Sequence, residues 1–405
     1  MKQYLRNFGR CCAVFLLCIV LFTGAMAAAF AIPNSAVESN QRQAMAVIES
    51  EGQYPRYFFD TPACQLDNFT DGLMLDRAIN PDESRGPLVS AMDIEGYSRY
   101  WHGYQVLLRP ALTFLNYKQI RYLNMMVFFI LLAGAFALMQ RKMGTRPAVG
   151  FLVSVAACYA VIIPLSMQFM SVFVLMLLGC IWVLWRHGKT TPSEAVLFFM
   201  VLGMVTNFLD LLTAPLLTLG MPLAVYLYLE IASNSENGWF TGFKRLFFPS
   251  LAWGLGYGGC WVCKWAVGSI VLRRNVFAEA VSQIFFRVSG SEEYPLDRME
   301  ALSKNFEMMF VNPGKRLLLL LGILLGLWLL LALLFRKSWK QLLNGTVLLL
   351  LALYPYAWIL VMANHCQIHY WFTYRIQAAA LFGIVCWLDL SVDAGKIRRL
   401  FQKKN

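Results

Sequence analysis

Long runs of apolar residues alternate with short polar connections along most of the chain. A helix needs about 20 mostly apolar residues to cross a hydrocarbon layer about 30 Å thick, because it rises about 1.5 Å per residue. The pattern therefore predicts an all-α integral membrane protein with about ten transmembrane helices. The predicted helices cover residues 11–32, 123–140, 147–165, 169–185, 195–212, 215–232, 246–272, 317–335, 342–363 and 373–390.

The composition excludes several classes of protein. Of 405 residues, 59% are hydrophobic and only 14% are charged, whereas soluble domains average about half apolar and about a quarter charged. A water-soluble interior cannot hide so large a surplus of apolar residues. The chain is therefore neither a soluble enzyme nor a disordered or fibrous protein.

The net charge of +12 at pH 7 comes from basic residues that recur in alternate connections of the predicted bundle. These basic segments are residues 1–10, 141–146, 186–192, 233–245, 336–341 and 391–405. Two short connections between them, near Ser166–Gln168 and Thr213–Ala214, carry no Lys or Arg. Basic residues concentrate on the cytoplasmic side of membrane proteins, so we expect a multi-pass cell-membrane protein with both termini in the cytoplasm. The charge gives no reason to expect a nucleic acid partner.

This orientation divides the chain into six segments. Residues 1–32 form a first helix that exceeds the usual apolar core of a signal peptide, about 7–15 residues. We expect it to remain as an uncleaved anchor, with a cleaved signal peptide as the alternative. The others are an extracytoplasmic loop with interfacial helices (33–122), transmembrane helices two to seven (123–272), an extracytoplasmic lid-like loop (273–316), helices eight to ten (317–390) and a basic cytoplasmic tail (391–405).

Carboxylates cluster in the first extracytoplasmic loop, where Asp60, Asp67 and Asp71 are the candidate catalytic acids. Asp67 and Asp71 are four positions apart and would share a helical face. The apolar residues 72–75 would bring Asp71 to the bilayer surface, where partial desolvation raises the pKa of a carboxyl and suits it to general-base work. Ordinary solvated aspartates are the alternative interpretation.

The same loop ends in an aromatic-rich segment whose larger side chains recur every three or four positions: Tyr97, Tyr100, Trp101, Tyr104 and Leu108. This spacing predicts an amphipathic helix that lies in the membrane interface. Arg99, His102 and Arg109 fall in its polar sector. The helix could hold a sugar against Trp101 and an anionic headgroup against an arginine, or it could be an aromatic belt with snorkelling arginines.

The fifth predicted span carries Asn207 and Asp210 three positions apart, near its outer end. A carboxylate in an apolar span is costly and usually faces a cavity or a partner. The pair is therefore a candidate substrate contact, or else a buried structural hydrogen-bonded pair.

The last outer turn brings His365, His369 and Arg375 to the start of the tenth span. The spacing of the two histidines permits shared metal ligation, but the chain has only four His. We therefore predict no metal site and leave a divalent metal cofactor open. Arg375 could clamp a lipid phosphate through two hydrogen bonds, or it could simply snorkel.

The arrangement resembles the GT-C superfamily of polytopic glycosyltransferases that use polyprenyl-phosphate donors. The resemblance extends over the whole chain in its topology of membrane spans and loops. The residues that support it are the acid of the first loop, the segment Tyr100–Trp101–His102 after it, and Arg375. It implies transfer of a sugar, usually with inversion, to an envelope glycan or lipid acceptor at the outer face of the membrane. The chain departs from several members in lacking a D-x-D pair and a large soluble C-terminal domain, so the base and any metal requirement stay open.

The resemblance also implies a mechanism. Asp71, or Asp60 or Asp67, accepts the proton of the acceptor hydroxyl. Arg375, helped by Arg99 or Arg109, stabilises the departing lipid phosphate. This requires Asp71 and Arg375 to meet in one pocket at the outer rim of the bundle.

Two other functions remain as alternatives. A flippase or transporter of lipid-linked saccharide would use interrupted helices near the midplane, for which the glycine-rich residues 252–259 with Lys264 are the best sign. A polymerase or ligase of envelope polysaccharide would share most of the same surface.

Overall fold

The computed structural model of the protein describes residues 2–94, 97–233, 238–310, 315–393, 395–396 and 399. Helix predominates throughout these residues, and extended chain pairs only in two isolated bridges, Arg56 with Gln65 and Arg336 with Val392. The predicted all-α fold is therefore confirmed.

The first part of the chain folds as one long apolar helix followed by short helices in the first loop. The carboxylate of Asp67 starts the third helix by accepting a hydrogen bond from the backbone N–H of Thr70, as an N-cap residue does. The helices are α1 (Lys2–Phe30), α2 (Asn34–Glu51), α3 (Asn68–Asp76), α4 (Pro87–Met92) and α5 (Gln105–Leu112).

The middle of the chain forms the main helical bundle. Two of its helices begin with reciprocal capping boxes, in which Asn116 pairs with Gln119 and Thr191 pairs with Glu194. The helices are α6 (Tyr117–Lys142), α7 (Thr145–Ala156), α8 (Met167–Arg186), α9 (Pro192–Leu209), α10 (Leu216–Ser233) and α11 (Trp239–Leu272).

The last part of the chain adds two amphipathic helices and then returns to the bundle. Helix α12 begins at the Asn275 cap and stops at Gly290, whose φ of 75° lies in the left-handed region that favours glycine. The helices are α12 (Val276–Ser289), α13 (Arg298–Phe310), α14 (Lys315–Leu334), α15 (Trp339–Ala352), α16 (Tyr354–Val361), α17 (Ala363–Ile368), α18 (Tyr370–Thr373) and α19 (Ala378–Ser391).

Eight stretches of the described chain are long and apolar enough to cross a membrane, so the protein is an integral membrane protein. They are Leu5–Phe30, Tyr117–Lys142, Met167–Arg186, Pro192–Leu209, Leu216–Ser233, Trp239–Leu272, Trp339–Val361 and Tyr370–Ser391. The other two predicted spans, 147–165 and 317–335, coincide with the shorter apolar helices Thr145–Ala156 and Gly322–Leu334. Helices α8, α10 and α19 are mostly buried by their neighbours and form the centre of the bundle.

Several of the basic segments meet at one end of the bundle. The Tyr228 hydroxyl donates to Asp389 at 2.8 Å, and Arg146 forms an ion pair with the same carboxylate at 2.9 Å. We call this the basic end. The opposite end, which carries residues 31–94 and 97–116, is called the loop end below.

The aromatic segment of the first loop differs from its prediction. Helix α5 begins only at Gln105, because His102 adopts a left-handed φ of 54° that interrupts a helix at that point. Tyr100, Trp101 and Tyr104 are buried inside the protein. They therefore pack the loop onto the bundle and do not form one continuous interfacial helix.

Helices α12 and α13 lie within the segment predicted as a lid-like loop, 273–316, and they dock on α17. The Asn364 amide donates to the carbonyl of Phe286 at 2.8 Å, and the Asn305 amide donates to the carbonyl of Cys366 at 2.8 Å. These bonds bring α12 and the turn before α19 to the same place at the loop end.

Candidate functional site

A polar cavity of about 140 Å³ lies at the loop end, between the first loop, the start of α8, α12 and the turn formed by α17 and α18. Its polar lining combines one carboxylate, two guanidinium groups, two imidazoles and an amide, from Asp67, Arg77, Arg287, His365, His369 and Gln168. Much of the rest is aromatic, from Tyr54, Phe69, Tyr97, Tyr100, Trp371 and Phe372. This polar cavity suits a ligand that has both polar groups and apolar faces.

Asp67 is the carboxylate of the polar cavity and is only 3% exposed. It accepts hydrogen bonds from the backbone N–H of Thr70 at 2.9 Å and from the Thr70 hydroxyl at 2.8 Å. Burial raises the pKa of Asp67 to about 7, although both bonds from Thr70 act in the opposite direction. A group with this pKa can take up or release a proton near neutral pH.

Arg287 reaches the polar cavity from α12 and is held there by His365. Its Nη1 lies 2.5 Å from Nδ1 of His365, while Nε2 of His365 lies 2.8 Å from the carbonyl oxygen of Leu212. A carbonyl only accepts, so Nε2 carries the ring proton and Nδ1 accepts from Arg287. Burial, reinforced by the Arg287 charge, holds the pKa of His365 well below its ordinary value. A neutral His365 therefore orients the guanidinium.

His369 lies beside His365, with ring centroids 4.9 Å apart, and stacks on Phe372 at 5.1 Å. Burial and the Arg287 charge lower the pKa of His369 to about 4, so its ring is neutral at neutral pH. Among the described residues no group of three or more His, Cys, Asp or Glu side chains is placed to hold a metal ion. Both ring nitrogens of His365 are engaged, so the two histidines do not form a metal pair.

A second, apolar cavity of about 140 Å³ adjoins the first. Tyr100 and Arg287 line both cavities. The rest of its wall comes from α11, α12 and their neighbours: Arg99, Trp261, Trp265, Ala280, Gln283, Ile284 and Met362. The Arg287 guanidinium thus lies at the boundary between the polar cavity and the apolar cavity.

Three polar atoms of these walls are buried without a hydrogen-bond partner among the described residues. They are Nε of Arg287, Nε1 of Trp261 and Oε1 of Gln168. Buried polar groups in folded proteins are nearly always paired with protein, water or ligand. These three atoms therefore lack a partner within the walls, and a ligand in the adjoining cavity would reach them only after the side chain rotates toward it.

Asp71 lies outside both cavities, although it was the first candidate for the base. It is fully buried and accepts hydrogen bonds from the Tyr117 hydroxyl at 2.6 Å and the Ser166 hydroxyl at 3.1 Å. It also accepts from the backbone N–H groups of Met167 and Gln168 at 2.8 and 3.0 Å. The carboxylate thus caps the start of α8, where the helix dipole favours a negative charge, and fixes the first loop to the bundle.

Arg375 also lies outside both cavities. Its Nε donates to the carbonyl of Cys158 at 3.2 Å, and Nη2 donates to the carbonyl of Ala63 at 3.1 Å. The guanidinium rests 4.3 Å from the ring centroid of Phe169 and is fully buried. The expected pocket shared by Asp71 and Arg375 is therefore not formed, because packed protein surrounds each side chain.

The candidates of the aromatic segment also have internal partners. Arg109 donates to the carbonyls of Ala29, Ile32 and Ala78 and so ties the loop to the end of α1. The Trp101 indole donates to the carbonyl of Cys260 at 3.0 Å, and both ring nitrogens of His102 are bonded, to Tyr104 and to the carbonyl of Tyr97. Arg99 pairs with Glu279 at 2.6 Å beside the apolar cavity. Of these four candidates, Arg99 lines a cavity.

The remaining candidates lie away from the cavities. Asp60 is exposed and pairs with Arg56 at 2.6 Å. Asp210 follows the last residue of α9 and accepts from the backbone N–H of Thr213 at 3.1 Å, which shapes the turn that leads into α10. Asn207 is buried, and neither atom of its amide has a partner among the described residues.

Comparison of the chain with protein families, with curated proteins and with solved structures found no match. The site is therefore interpreted from its own geometry. The resemblance to GT-C enzymes stays a prediction that rests on topology and on the residues quoted for it.

Sequence reasoning missed Arg287 and Arg77, the two guanidinium groups of the polar cavity. Arg287 ends an amphipathic stretch that the sequence shows clearly, but nothing in the stretch indicates that it docks beside His365. Arg77 follows the acidic cluster directly, and its guanidinium carbon lies 4.0 Å from the ring centroid of Tyr97. Its position after the acidic cluster is the only sequence signal that could have found it.

Proposed function

We propose that the protein is a GT-C-type membrane glycosyltransferase that moves a sugar from a polyprenyl-phosphate donor to an envelope glycan or lipid acceptor. The observation that carries the proposal is the meeting of a polar and an apolar cavity at Arg287. A polyprenyl-phosphate sugar has an apolar chain, an anionic phosphate and a polyhydroxylated ring in that order. The two cavities and their shared cation match that order of chemistry.

The donor would place its phosphate on Arg287. A guanidinium offers paired donors to phosphate oxygens, and Nε of Arg287 has no partner among the described residues. The first part of the lipid chain would lie against Trp261, Trp265 and Met362 in the apolar cavity. Because that chain comes from the bilayer and not from water, the apolar cavity contributes packing contacts and no hydrophobic gain.

The sugar would lie in the polar cavity with Asp67 as general base. The acceptor hydroxyl gives its proton to the Asp67 carboxylate while its oxygen forms a bond to the anomeric carbon. The bond from that carbon to the phosphate oxygen breaks, and its electron pair leaves with the lipid phosphate. Arg287 stabilises the negative charge that develops there. This assigns to Asp67 and Arg287 the roles that the sequence suggested for Asp71 and Arg375.

We further propose that the basic end faces the cytoplasm of a cell-membrane protein. The positive-inside pattern supports this orientation, because Arg146 of the basic segment 141–146 lies at that end. The polar cavity would then face the extracytoplasmic side, where lipid-linked sugars and envelope acceptors are available, and both termini would lie in the cytoplasm. The partners are membrane lipid, donor and acceptor, with no nucleic acid.

The glycines of α11 have a structural role, which is to let α11 pack closely against α9. A Cβ atom at Gly256 would overlap the carbonyl of Met200, and one at Gly203 would overlap the carbonyl of Trp253. The glycines thus let α9 and α11 approach closely, as small residues do in membrane bundles. They are needed for contact between helices, so they give no support to a transporter with interrupted helices.

The proposal is tested with purified protein in lipid nanodiscs, supplied with polyprenyl-phosphate sugars and analysed by mass spectrometry of the products. We expect Asp67→Asn to lower the rate of transfer by about 10²–10⁴-fold, because the general base is lost. Asp60→Asn is the matched control in the same loop, since Asp60 is exposed and lines neither cavity.

Transfer at the wild-type rate by Asp67→Asn would exclude Asp67 as the base. Movement of the donor across the bilayer without formation of any product would favour the flippase alternative. Arg287→Gln should weaken donor binding, whereas Arg56→Gln, which removes an exposed guanidinium of the first loop, should leave it unchanged.

A further inference from the structure

Three aromatic rings form one side of the polar cavity near Asp67. The ring of Tyr54 lies 6.3 Å from that of Phe69 and 5.6 Å from that of Trp371, between centroids. All three residues line the cavity together with Asp67. We call Tyr54, Phe69 and Trp371 the aromatic rim.

Two side chains of the aromatic rim are exposed at the surface of the protein. Tyr54 and Phe69 are each 44% exposed, whereas Trp371 is 8% exposed and forms the wall behind them. Tyr54 and Phe69 belong to the first loop and not to any of the eight stretches long enough to cross a membrane. Exposed rings at the edge of a polar pocket mark a binding surface.

The aromatic rim lies apart from the cation assigned to the donor phosphate. From Arg287 the wall runs through His365, His369 and Phe372 to Trp371, with ring centroids separated by 4.9, 5.1 and 4.7 Å in turn. Arg287 contacts His365 at one end of this row, and Trp371 of the rim is at the other end. The row is compact, since the rings of His365 and Phe372 are also 6.0 Å apart, so a ligand on the rim would share the polar cavity with a phosphate on Arg287.

The chemistry of the rim fits a carbohydrate. A pyranose ring presents C–H groups on its face and hydroxyl groups around its edge, so it packs flat on an aromatic ring while its edge needs hydrogen bonds. Asp67 and Oε1 of Gln168 line the same cavity, and Gln168 is 5% exposed with that oxygen unpartnered among the described residues. Two exposed rings and a buried unpaired acceptor therefore supply both kinds of contact.

We propose that the acceptor is a glycan whose terminal sugar packs on the aromatic rim and directs a hydroxyl toward Asp67. This inference rests on the proposed function and names its acceptor class, since a lipid acceptor without sugar would not need the rim. The donor sugar then lies between the rim and Arg287. Attack from the rim side would displace the phosphate on the far side, as inversion requires.

Binding is measured by saturation-transfer difference NMR on the full chain in nanodiscs, without donor. The probes are hexasaccharides of glucose, mannose, galactose, rhamnose and N-acetylglucosamine. Wild-type protein should bind at least one of them, and Tyr54→Ala and Phe69→Ala should each raise its Kd by roughly 2- to 10-fold, the range of one aromatic contact. Tyr54→Phe keeps the ring and should bind like the wild type.

The matched control is Phe59→Ala, since Phe59 is 62% exposed in the same loop but lies against Tyr159 and outside the polar cavity. Its Kd should be unchanged. The inference is overturned if the wild type binds none of the probes, if the rim variants bind normally, or if Phe59→Ala weakens binding equally. The last result would indicate a general membrane-interface role for exposed aromatic residues.

The transfer assay separates this inference from the proposed function. If product forms and the rim variants raise the KM for the glycan while donor binding is unchanged, both are supported. If product forms with an unaltered KM in the rim variants, the inference fails and the proposed function stands. If the probes bind as expected but no product forms with any donor, the proposed function fails and the carbohydrate site stands.

Discussion

Two aspartates four positions apart have different environments, and the environment sets what each can do. Asp71 accepts from three donors at the start of α8 and from the Tyr117 hydroxyl of α6, so both of its oxygens are already bonded. Among the described residues Asp67 accepts hydrogen bonds only from Thr70, and it lines the polar cavity. The same residue type is thus structural in one place and available for proton transfer in the other.

The pKa of Asp67 predicts the pH dependence of transfer. A general base must be ionised, and the ionised fraction rises with pH through a pKa of about 7. At pH 5 only about 1% of such groups are ionised, so kcat/KM should rise about tenfold per pH unit up to pH 7 and then level off. Steady-state rates between pH 5 and 9 check this, and Asp60→Asn should keep the same midpoint. A flat profile would contradict the assignment.

Substitution of Asp71 is predicted to lower the stability of the folded protein. In Asp71→Asn an amide N–H₂ replaces one oxygen and faces a donor, which leaves buried hydrogen-bonding groups unpaired. The free energy of unfolding should fall by about 1–3 kcal/mol, measured from thermal or denaturant unfolding in detergent. Asp60→Asn should stay within about 0.5 kcal/mol of the wild type, as expected for an exposed site. Equal stability of the two variants would show that Asp71 does not fix the loop.

At the residue scale the sequence limited the candidates for the catalytic base to three aspartates, but it could not show which of them serves. The choice depends on which carboxylate meets the start of α8, 95 or more positions away along the chain. Arg287 was missed for the same reason, since its partner His365 is 78 positions distant. Contacts of this range leave no local pattern of hydrophobic and polar residues.

Among the elements, the contact between α9 and α11 has the clearest steric requirement. Gly203 and Gly256 each face a backbone carbonyl of the other helix, with no room for a Cβ atom. Gly254 lies on the same helix as Gly256, yet nothing approaches within 4 Å of the Cβ it would carry. The two positions therefore offer a matched pair for testing the packing.

Gly256→Ala should lower the free energy of unfolding by about 1–3 kcal/mol, because the helices must separate to admit the methyl group. Gly254→Ala should cause no loss and a gain of about 0.5–1 kcal/mol, because alanine favours helix over glycine. Thermal unfolding of the two variants in one detergent provides the measurement. A greater loss for Gly254→Ala than for Gly256→Ala would contradict this packing.

Long apolar helices were predictable from sequence because a span needs a continuous run of suitable length. Helix α12 was predictable from the amphipathic pattern of residues 275–287. The segment after Tyr97 was not, since its three-and-four spacing resembles a helix while the left-handed His102 interrupts it. The left-handed angle of His102 ends the predicted helix, and Trp101 and Tyr104 on either side of it are buried in the bundle.

At the scale of the whole molecule the bundle has two chemically different ends. Arg146 and Asp389 pair at the basic end, and the polar cavity lies at the loop end. The proposed orientation places the basic end in the cytoplasm, as the positive-inside pattern predicts. Orientation is therefore a property that experiment can test without knowing the substrate.

Labelling of single cysteines tests the proposed orientation. In a chain whose ten native Cys are replaced, Glu292→Cys at the loop end and Lys189→Cys at the basic end both put a thiol on an exposed residue. A membrane-impermeant maleimide should label Glu292→Cys in intact cells and Lys189→Cys only after permeabilisation. The reverse order would place the polar cavity in the cytoplasm.

The most direct measurement is a cryo-EM structure of the protein in nanodiscs with a non-reactive polyprenyl-phosphonate sugar. The phosphonate should lie within about 4 Å of the Arg287 guanidinium, with the sugar beside Asp67 and the first isoprene units against Trp261. A phosphonate bound away from Arg287, or a lipid chain outside the apolar cavity, would contradict the account of how the two cavities work together.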